Sequence, residues 1–201
     1  MRLLRNLIIS NKLRKNSAFI WASKKNLLKS VDNISALDLD LIVGIENQKE
    51  ILIKNTKNFS KGNFSNNVLL WGARGNGKST LIKSIFINLS KENKYLKLIQ
   101  INKEDISDIN KIYSLLINQS NFRFIIFIDD LSFEKIDYQY KIIKSTLDGS
   151  IQNQPNNIVI YVTSNRRHLM PRDMIDNERS SAIHADESID EKISLSDRFG
   201  L

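Results

Sequence analysis

Asn67-Val68-Leu69-Leu70-Trp71-Gly72-Ala73-Arg74-Gly75-Asn76-Gly77-Lys78-Ser79 is the stretch from which the fold can be read. The apolar run 67–71 ends at Gly72, as a strand buried on both faces does. Gly72 to Ser79 then matches G-x-x-x-x-G-K-[ST] in full. Three of the seven glycines fall within six residues. Residues 77–90 follow as a helix with Leu81, Ile82, Ile85 and Phe86 on one face. A strand before and a helix after is the context in which this pattern binds phosphate. Glycine lets successive backbone N–H groups turn inward around phosphate oxygens, and the helix N-terminus adds its positive end. The pattern assigns Gly72, Ala73, Arg74, Gly75, Asn76, Gly77, Lys78, Ser79 and Thr80 to the phosphates of a nucleotide. Lys78 is expected to reach the β and γ phosphates and the Ser79 hydroxyl to ligate Mg²⁺. A tight turn that uses glycine only for convenience is disfavoured by the full match in its strand–helix setting.

Outward from this loop, strand and helix patterns alternate. Upstream, 36–44 leads into a polar helix at about 46–60. Downstream, residues 95–101 alternate like a strand, 104–118 have helical period, and Arg123–Ile128 is an apolar strand ending in Asp129-Asp130. Residues 134–148 form a helix closed by Gly149, and 158–162 is a further buried strand ending in Thr163-Ser164-Asn165. Alternation of this kind predicts a three-layer α/β fold, with a mostly parallel sheet and right-handed crossovers.

The strand ends carry the remaining chemistry. An apolar strand ending in acid is the Walker B pattern. Asp129 is expected to hold Mg²⁺ and Asp130 to polarise an attacking water. Glu134 competes as the base, although capping the next helix is an equal reading of it. Ligands gather at the carboxyl ends of parallel strands, so Asn165 is expected on the same edge, orienting a water or touching the γ-phosphate. Asn102-Lys103-Glu104-Asp105 matches the guanine-reading pattern N-K-x-D. It precedes the acidic strand where GTPases place it after, so it reads as a helix start. Arg74, Arg166 and Arg167 are also expected near this edge, and Arg166-Arg167 reads as a solvated basic loop or as a contact for a neighbouring subunit or a polyanion.

Composition sets the outer bounds. The chain has 201 residues, no cysteine, two histidines and a net charge of +8. Disulfides and cysteine-based zinc sites are excluded, and no run approaches the roughly 18 apolar residues of a membrane span. The interrupted apolar run at the start is too short for a secretory signal, so a cytoplasmic location is expected. Residues 1–31 hold eight basic residues and no acid, while the remaining 22 basic residues balance 22 acidic ones. Residues 1–35 read as a basic, helical N-terminal segment, with Leu3, Leu4, Leu7 and Ile8 at helical spacing. That segment could dock nucleic acid or an anionic membrane, serve in targeting, or pack an apolar stripe on the body formed by residues 36–201.

The ordered strings resemble an AAA+ ATPase. More narrowly, they are similar to an uncharacterised bacterial AAA+-like family catalogued as domain of unknown function 815. The strings are GIENQKE (44–50), NNVLLWGARGNGKS (66–79), DDLSFE (129–134), TSNRRHL (163–169) and EKISLSDRFGL (191–201). The resemblance implies that Val43 and Gly44 border the adenine of ATP, that Lys78 and Ser79 bind phosphate and Mg²⁺, and that Asp129 and Asp130 are the acidic pair. It further implies that Asn165 is the first sensor and that Arg198 enters a neighbouring subunit's site in a homo-oligomer. The acidic pair is Asp-Asp where Asp-Glu is commoner. The family pattern continues beyond Arg-Phe-Gly-Leu with a last strand beside the phosphate-loop strand and a helical lid, which are expected to be missing from a chain that stops at Leu201. Two readings of function follow: an ATPase that couples turnover to conformational work on a macromolecule, or a nucleotide-dependent binding module with little turnover. A small-molecule kinase is weaker, because neither an arginine-rich lid nor an acceptor site can be identified.

Overall fold

The computed structural model describes residues 2–133, 138–147, 154–167, 169 and 199–201, with side chains from residue 6 onward. Its elements in chain order are α1 (Arg2–Lys15), β1 (Ala18–Ala22), β2 (Leu27–Val31), α2 (Glu46–Ser60), β3 (Val68–Trp71), α3 (Lys78–Glu92), β4 (Leu96–Ile101), α4 (Ile109–Leu116), β5 (Arg123–Ile128), α5 (Tyr138–Leu147) and β6 (Ile158–Ser164). Six strands form one sheet in the order β2-β1-β4-β5-β6-β3. Only the β1–β2 pair is antiparallel; the β1–β4, β4–β5, β5–β6 and β6–β3 pairs are parallel.

Period-two burial explains the three layers. Phe124, Ile126 and Ile128 of β5 face one core, together with Leu13 of α1, Ile109 and Ile112 of α4 and Ile143 of α5. Ile125 and Phe127 face the other, together with Leu52 and Phe59 of α2 and Leu81, Ile82, Ile85 and Phe86 of α3. Each such side chain stabilises by about 1.5–3 kcal/mol on full burial. The central strands are therefore the least replaceable part of the molecule. They are also the strands that carry the acidic pair and Asn165. The chain goes from β3 over three strand positions to β4, with α3 on one face, and then returns through β5 and β6 with α4 and α5 on the other. That reversal makes a crevice at the carboxyl ends of β3, β6 and β5, where ligands bind in open α/β sheets.

Side-chain bonds brace α2 and β3 against the centre. The buried Tyr161 hydroxyl accepts from Asn55 Nδ2 at 3.1 Å and lies 2.8 Å from Thr56 Oγ1. Burial pushes this phenol up to about 12, although both bonds oppose the shift. Asn55 also exchanges amide bonds with the backbone of Asn66, at 2.9 and 3.0 Å. On the outer edge of β3, Leu69 N–H donates to Leu201 O at 2.8 Å. Gly200 lies so close to Asn66 that a Cβ there would sit 2.5 Å from Asn66 Cγ, which excludes any larger residue without a shift.

The N-terminal segment differs from the expected helical one. Residues 2–15 are helical, but 18–31 form a hairpin that joins the sheet through β1 and β4. Phe19, Trp21 and Leu28 are buried in the core. The sequence cue was the aromatic, β-branched run AFIWA followed by a Ser23–Asn26 turn, in which Asn26 has φ of 48°. Among the described side chains of α1, Leu13 is buried and Ile9, four residues before it, is half-buried against the same core, whereas Leu7 and Ile8 are each 60% exposed. Lys12 Nζ donates to Leu28 O of the edge strand β2, which occupies one of the acceptors through which an open edge recruits other chains. Asn102–Asp105 opens a 3-10 turn over Lys103–Asp108, as expected of a helix start. No described helix is long and apolar enough to cross a membrane.

Two buried ionisable groups lie under the hairpin and α1. Lys97 of β4 donates to Asn16 O at 2.9 Å and lies 5.4 Å from the Phe122 ring centroid; burial pushes its ammonium down to about 8. Asp108 accepts from Trp21 Nε1 at 2.9 Å and from Ser23 Oγ at 2.5 Å, and pairs with Lys111 at 2.6 Å. Its burial favours the neutral acid, but the Lys111, Ser23 and Trp21 bonds outweigh it and hold the carboxyl down to about 2. Asp108 thus ties the hairpin to the turn before α4. Asp108→Ala is expected to cost about 1–3 kcal/mol in urea unfolding at pH 7, because Trp21 Nε1 loses its acceptor. A depressed native pKa stabilises above the unfolded value of 3.8, and that contribution fades as pH falls toward about 2. The gap between wild type and variant is therefore expected to narrow over that range, and a pH-independent gap would contradict the assignment.

Candidate functional site

The site grows from the register of three parallel strands. Trp71 of β3 pairs with Ser164 of β6, and Ile128 of β5 with Val162. One step beyond those pairs, Gly72, Asp129 and Asn165 come to the same edge. Gly72 N–H continues the ladder to Ser164 O at 3.2 Å. The loop then turns through Gly75 (φ 85°) and Gly77 (φ 70°), both left-handed, and α3 starts at Lys78. A Cβ at Gly75 or Gly77 would meet nothing within 4 Å, so glycine is needed there for backbone angle and not for space. Ala73, Arg74, Gly75, Asn76 and Gly77 are exposed, while Lys78, Ser79 and Thr80 are half-buried in the first turn of α3.

Lys78 Nζ folds over the loop and donates to Gly72 O and Ala73 O, each at 2.8 Å, and to Asn165 Oδ1 at 3.2 Å. Ser79 Oγ donates to Asp129 Oδ1 at 2.5 Å. The same carboxylate oxygen accepts from Thr163 Oγ1 at 2.5 Å. Asp130 faces elsewhere: its Oδ1 accepts from Asn165 Nδ2 at 2.6 Å, and its Oδ2 lies 3.7 Å from Arg74 Nη2. The Arg74 pair is largely exposed and contributes little to stability. Asp130 has φ of 52°, a left-handed conformation that costs an L-residue about 1–2 kcal/mol, less for Asp than for most. The two neighbouring acids are thereby split, one toward the serine of the loop and one toward the asparagine.

Arg167 lies over the Trp71 ring, 5.4 Å from its centroid. Arg166 reaches Phe133 O at 3.5 Å. Val43 and Gly44 lie in the loop before α2, where Gly44 N–H donates to Glu46 Oε1 at 2.8 Å. This bond, with further help from Glu46's own backbone and Lys49, lowers the Glu46 carboxyl pKa. The flanking Leu39, Ile42 and Ile45 pack on the core that contains Leu81 and Ile82 of α3, so the segment runs along the helix that the glycine loop opens. Val43 itself is 75% exposed. Glu134 and Arg198 lie outside the described residues. Two partnerships escaped the sequence reading: Thr163 with Asp129, and Arg74 with Asp130. Both depend on the β5–β6 register and on the turn at Asp130, neither of which has a local sequence signature.

The six-stranded, mostly parallel sheet, with a glycine loop after β3 and an acidic pair and an asparagine at the neighbouring strand ends, has the fold of an AAA+-like P-loop domain. The family described as "Protein of unknown function (DUF815)" matches residues 14–201, and the chain belongs to it. The matched span takes in the hairpin as well as the body. No curated protein matches. Among solved structures, the Thermotoga maritima RuvB Holliday junction branch migration motor is similar at 21% identity and a TM-score of 0.46, covering 68% of this chain and 44% of that one. The P216G mutant of the same RuvB reaches a TM-score of 0.50 at 20% identity, covering 84% and 48%. Caenorhabditis elegans PCH-2 reaches 0.50 at 15% identity, covering 83% and 43%. This chain thus spans less than half the length of each of these proteins.

The backbone at Asp130 supplies a test that is independent of any ligand. Asp130→Gly relieves the left-handed strain and gives up only exposed bonds, so it is expected to raise stability by about 0.5–1 kcal/mol. Asp130→Val is expected to lower it. Denaturant unfolding of the two variants checks the order; a glycine variant less stable than the valine variant would contradict it.

Proposed function

We propose that this chain binds Mg²⁺–ATP and acts as an AAA+-type ATPase that couples hydrolysis to conformational work on a macromolecule. The observation that carries this reading is the bond between Ser79 Oγ and Asp129 Oδ1 at 2.5 Å, which joins the phosphate loop to the acidic strand end. A hydroxyl and a carboxylate are hard oxygen donors suited to Mg²⁺. That ion takes one or two protein oxygens and fills its shell from phosphates and water.

In this reading Gly72 to Thr80 cradle the phosphates, Val43 and Gly44 border the adenine, and Ser79 and Asp129 hold the metal. Mg²⁺ would supply charge neutralisation at the phosphate oxygens. Lys78, already directed by Gly72 O, Ala73 O and Asn165 Oδ1, supplies the fixed positive charge. Asp130 orients and polarises water, with Asn165 holding its carboxylate; Glu134 is the alternative base. Arg198 completes a neighbour's site in a homo-oligomer. A binding module with little turnover, docking nucleic acid or anionic membrane, is the second reading. It is favoured by the exposed cations Arg14, Lys15, Lys24, Lys25 and Lys29. Because Phe19 and Trp21 are core residues, neutralising Lys24, Lys25 and Lys29 to Gln tests docking cleanly, whereas deleting residues 1–31 does not.

Lys78→Ala is expected to weaken Mg–ATP binding about 10–100-fold, as loss of a charge-assisted phosphate contact does. Trp71 beside the loop supplies a fluorescence readout. An unchanged titration would remove the loop from the nucleotide site. Asp130→Asn is expected to keep binding and lose turnover, and loss in Glu134→Gln alone would move the base to Glu134. Steady-state turnover that rises cooperatively with protein concentration supports the ATPase. Absent turnover with retained binding, whether or not DNA, RNA or anionic vesicles are added, favours the binding module.

A further inference from the structure

Thr163 makes three bonds to three consecutive residues of the acidic turn. Its Oγ1 donates to Asp129 Oδ1 at 2.5 Å, the same Oγ1 accepts from Asp130 N–H at 2.9 Å, and its carbonyl accepts from Leu131 N–H at 2.8 Å. Thr163 is 1% exposed, at the penultimate position of a strand buried along its whole length. A hydroxyl has one proton to give and lone pairs to receive with, and here both capacities are used on adjacent residues with different jobs. The donated proton fixes which oxygen of Asp129 points at β6. Ser79 Oγ donates to that same oxygen, so among the described residues Oδ2 is the oxygen of Asp129 without a protein donor. The accepted bond anchors the N–H of Asp130 where the backbone enters the left-handed region at φ 52°. That turn swings the Asp130 carboxylate away from Asp129 and toward Asn165.

We propose that Thr163 is a positioning residue that sets the orientations of both acids. Through Asp129 it presents a carboxylate oxygen to the metal, and through the Asp130 backbone it aims the second carboxylate at Asn165. The proposal rests on the Mg²⁺–ATP reading of this site and names a residue that acts on it from behind. The register makes the role specific to position 163. Asp129 stands one step beyond Ile128, and Thr163 one step beyond its partner Val162, so no other side chain of β6 is level with the acidic turn on this face. Val, which matches Thr in shape, has neither proton nor lone pair. Ser retains both and lacks only the methyl group.

The test compares wild type, Thr163→Val, Thr163→Ala and Thr163→Ser in the full chain. ATP affinity is measured by calorimetry in EDTA and across a Mg²⁺ titration, alongside thermal melting and kcat and KM. Outer-shell partners of a metal ligand typically matter by about 10–100-fold. In Thr163→Val and Thr163→Ala, the Mg²⁺ concentration giving half its effect on ATP affinity is expected to rise by about that factor. ATP affinity in EDTA should stay within about threefold. Turnover is expected to fall in kcat more than KM rises, since the second acid is misdirected as well. Thr163→Ser restores the Mg²⁺ dependence. A purely structural role lowers the melting temperature and leaves the Mg²⁺ dependence intact, and that result overturns the proposal, as does a serine variant as defective as valine. Should valine fail to fold, the alanine and serine pair decides. If wild type binds Mg–ATP and the variants keep its full Mg²⁺ dependence, only this inference falls; if wild type binds no ATP, the reading of the site falls with it.

Discussion

The parallel ladder from β5 through β6 to β3 is the constraint on which the rest depends. Its register is locked because both faces of β5 and β6 are buried, and a slip of one residue would turn each apolar set toward the wrong core. Once Ile128 is paired with Val162 and Trp71 with Ser164, the loop after β3, the acids after β5 and the asparagine after β6 have nowhere else to be. Polar chemistry at the strand ends is therefore positioned by apolar packing several residues earlier. The carboxyl-end edge is also where backbone groups run out of ladder partners. The side chains of Thr163, Asn165 and Asp129 take over the bonding there.

The site is held from behind more firmly than from the front. Thr163 and Ser164 are buried, Asp129 and Ser79 half-buried, and Arg74 and Asp130 largely exposed. Bonds made in the first group are shielded from water and define geometry. The Arg74–Asp130 pair lies in water and can exchange for other partners at little cost. Burial is thus graded from the base of this cluster to its mouth. The left-handed backbone at Asp130 belongs to this pattern. A strained residue at a functional turn is sustained by surroundings that determine it from several sides, here Thr163 Oγ1, Thr163 O and Asn165.

At the opposite edge of the sheet, the hairpin shows how much a charge count can hide. Its exposed Lys24, Lys25 and Lys29 add to the basic residues of α1, yet Phe19, Trp21 and Leu28 make the hairpin part of the core. Asp108 supplies the carboxylate that the segment lacks, accepting from Trp21 and Ser23 across more than eighty positions of sequence. The family match that begins at residue 14 is consistent with a hairpin that is built into the body of the protein.

The amino-acid sequence by itself determined the features whose cause is local. The glycine loop was legible because three glycines, a lysine and a hydroxyl follow one another at fixed spacing between a strand and a helix. The strands RFIIFI and IVIYV were legible because burial on both faces leaves an uninterrupted apolar run, and α2 and α3 were legible from helical period. The acids and Asn165 could be assigned to one edge because parallel strands end together. What only the tertiary structure decided is whatever depends on which strands are neighbours. The hairpin is short, and its cue was overshadowed by its charge. On α1 it is Ile9 and Leu13 that meet the core, while Leu7 and Ile8 of the expected stripe are exposed. Thr163 is an ordinary strand-end residue until β5 is laid beside β6. Its hydroxyl acquires a role through a register set by apolar contacts, and those contacts are made between residues more than thirty positions apart in the chain.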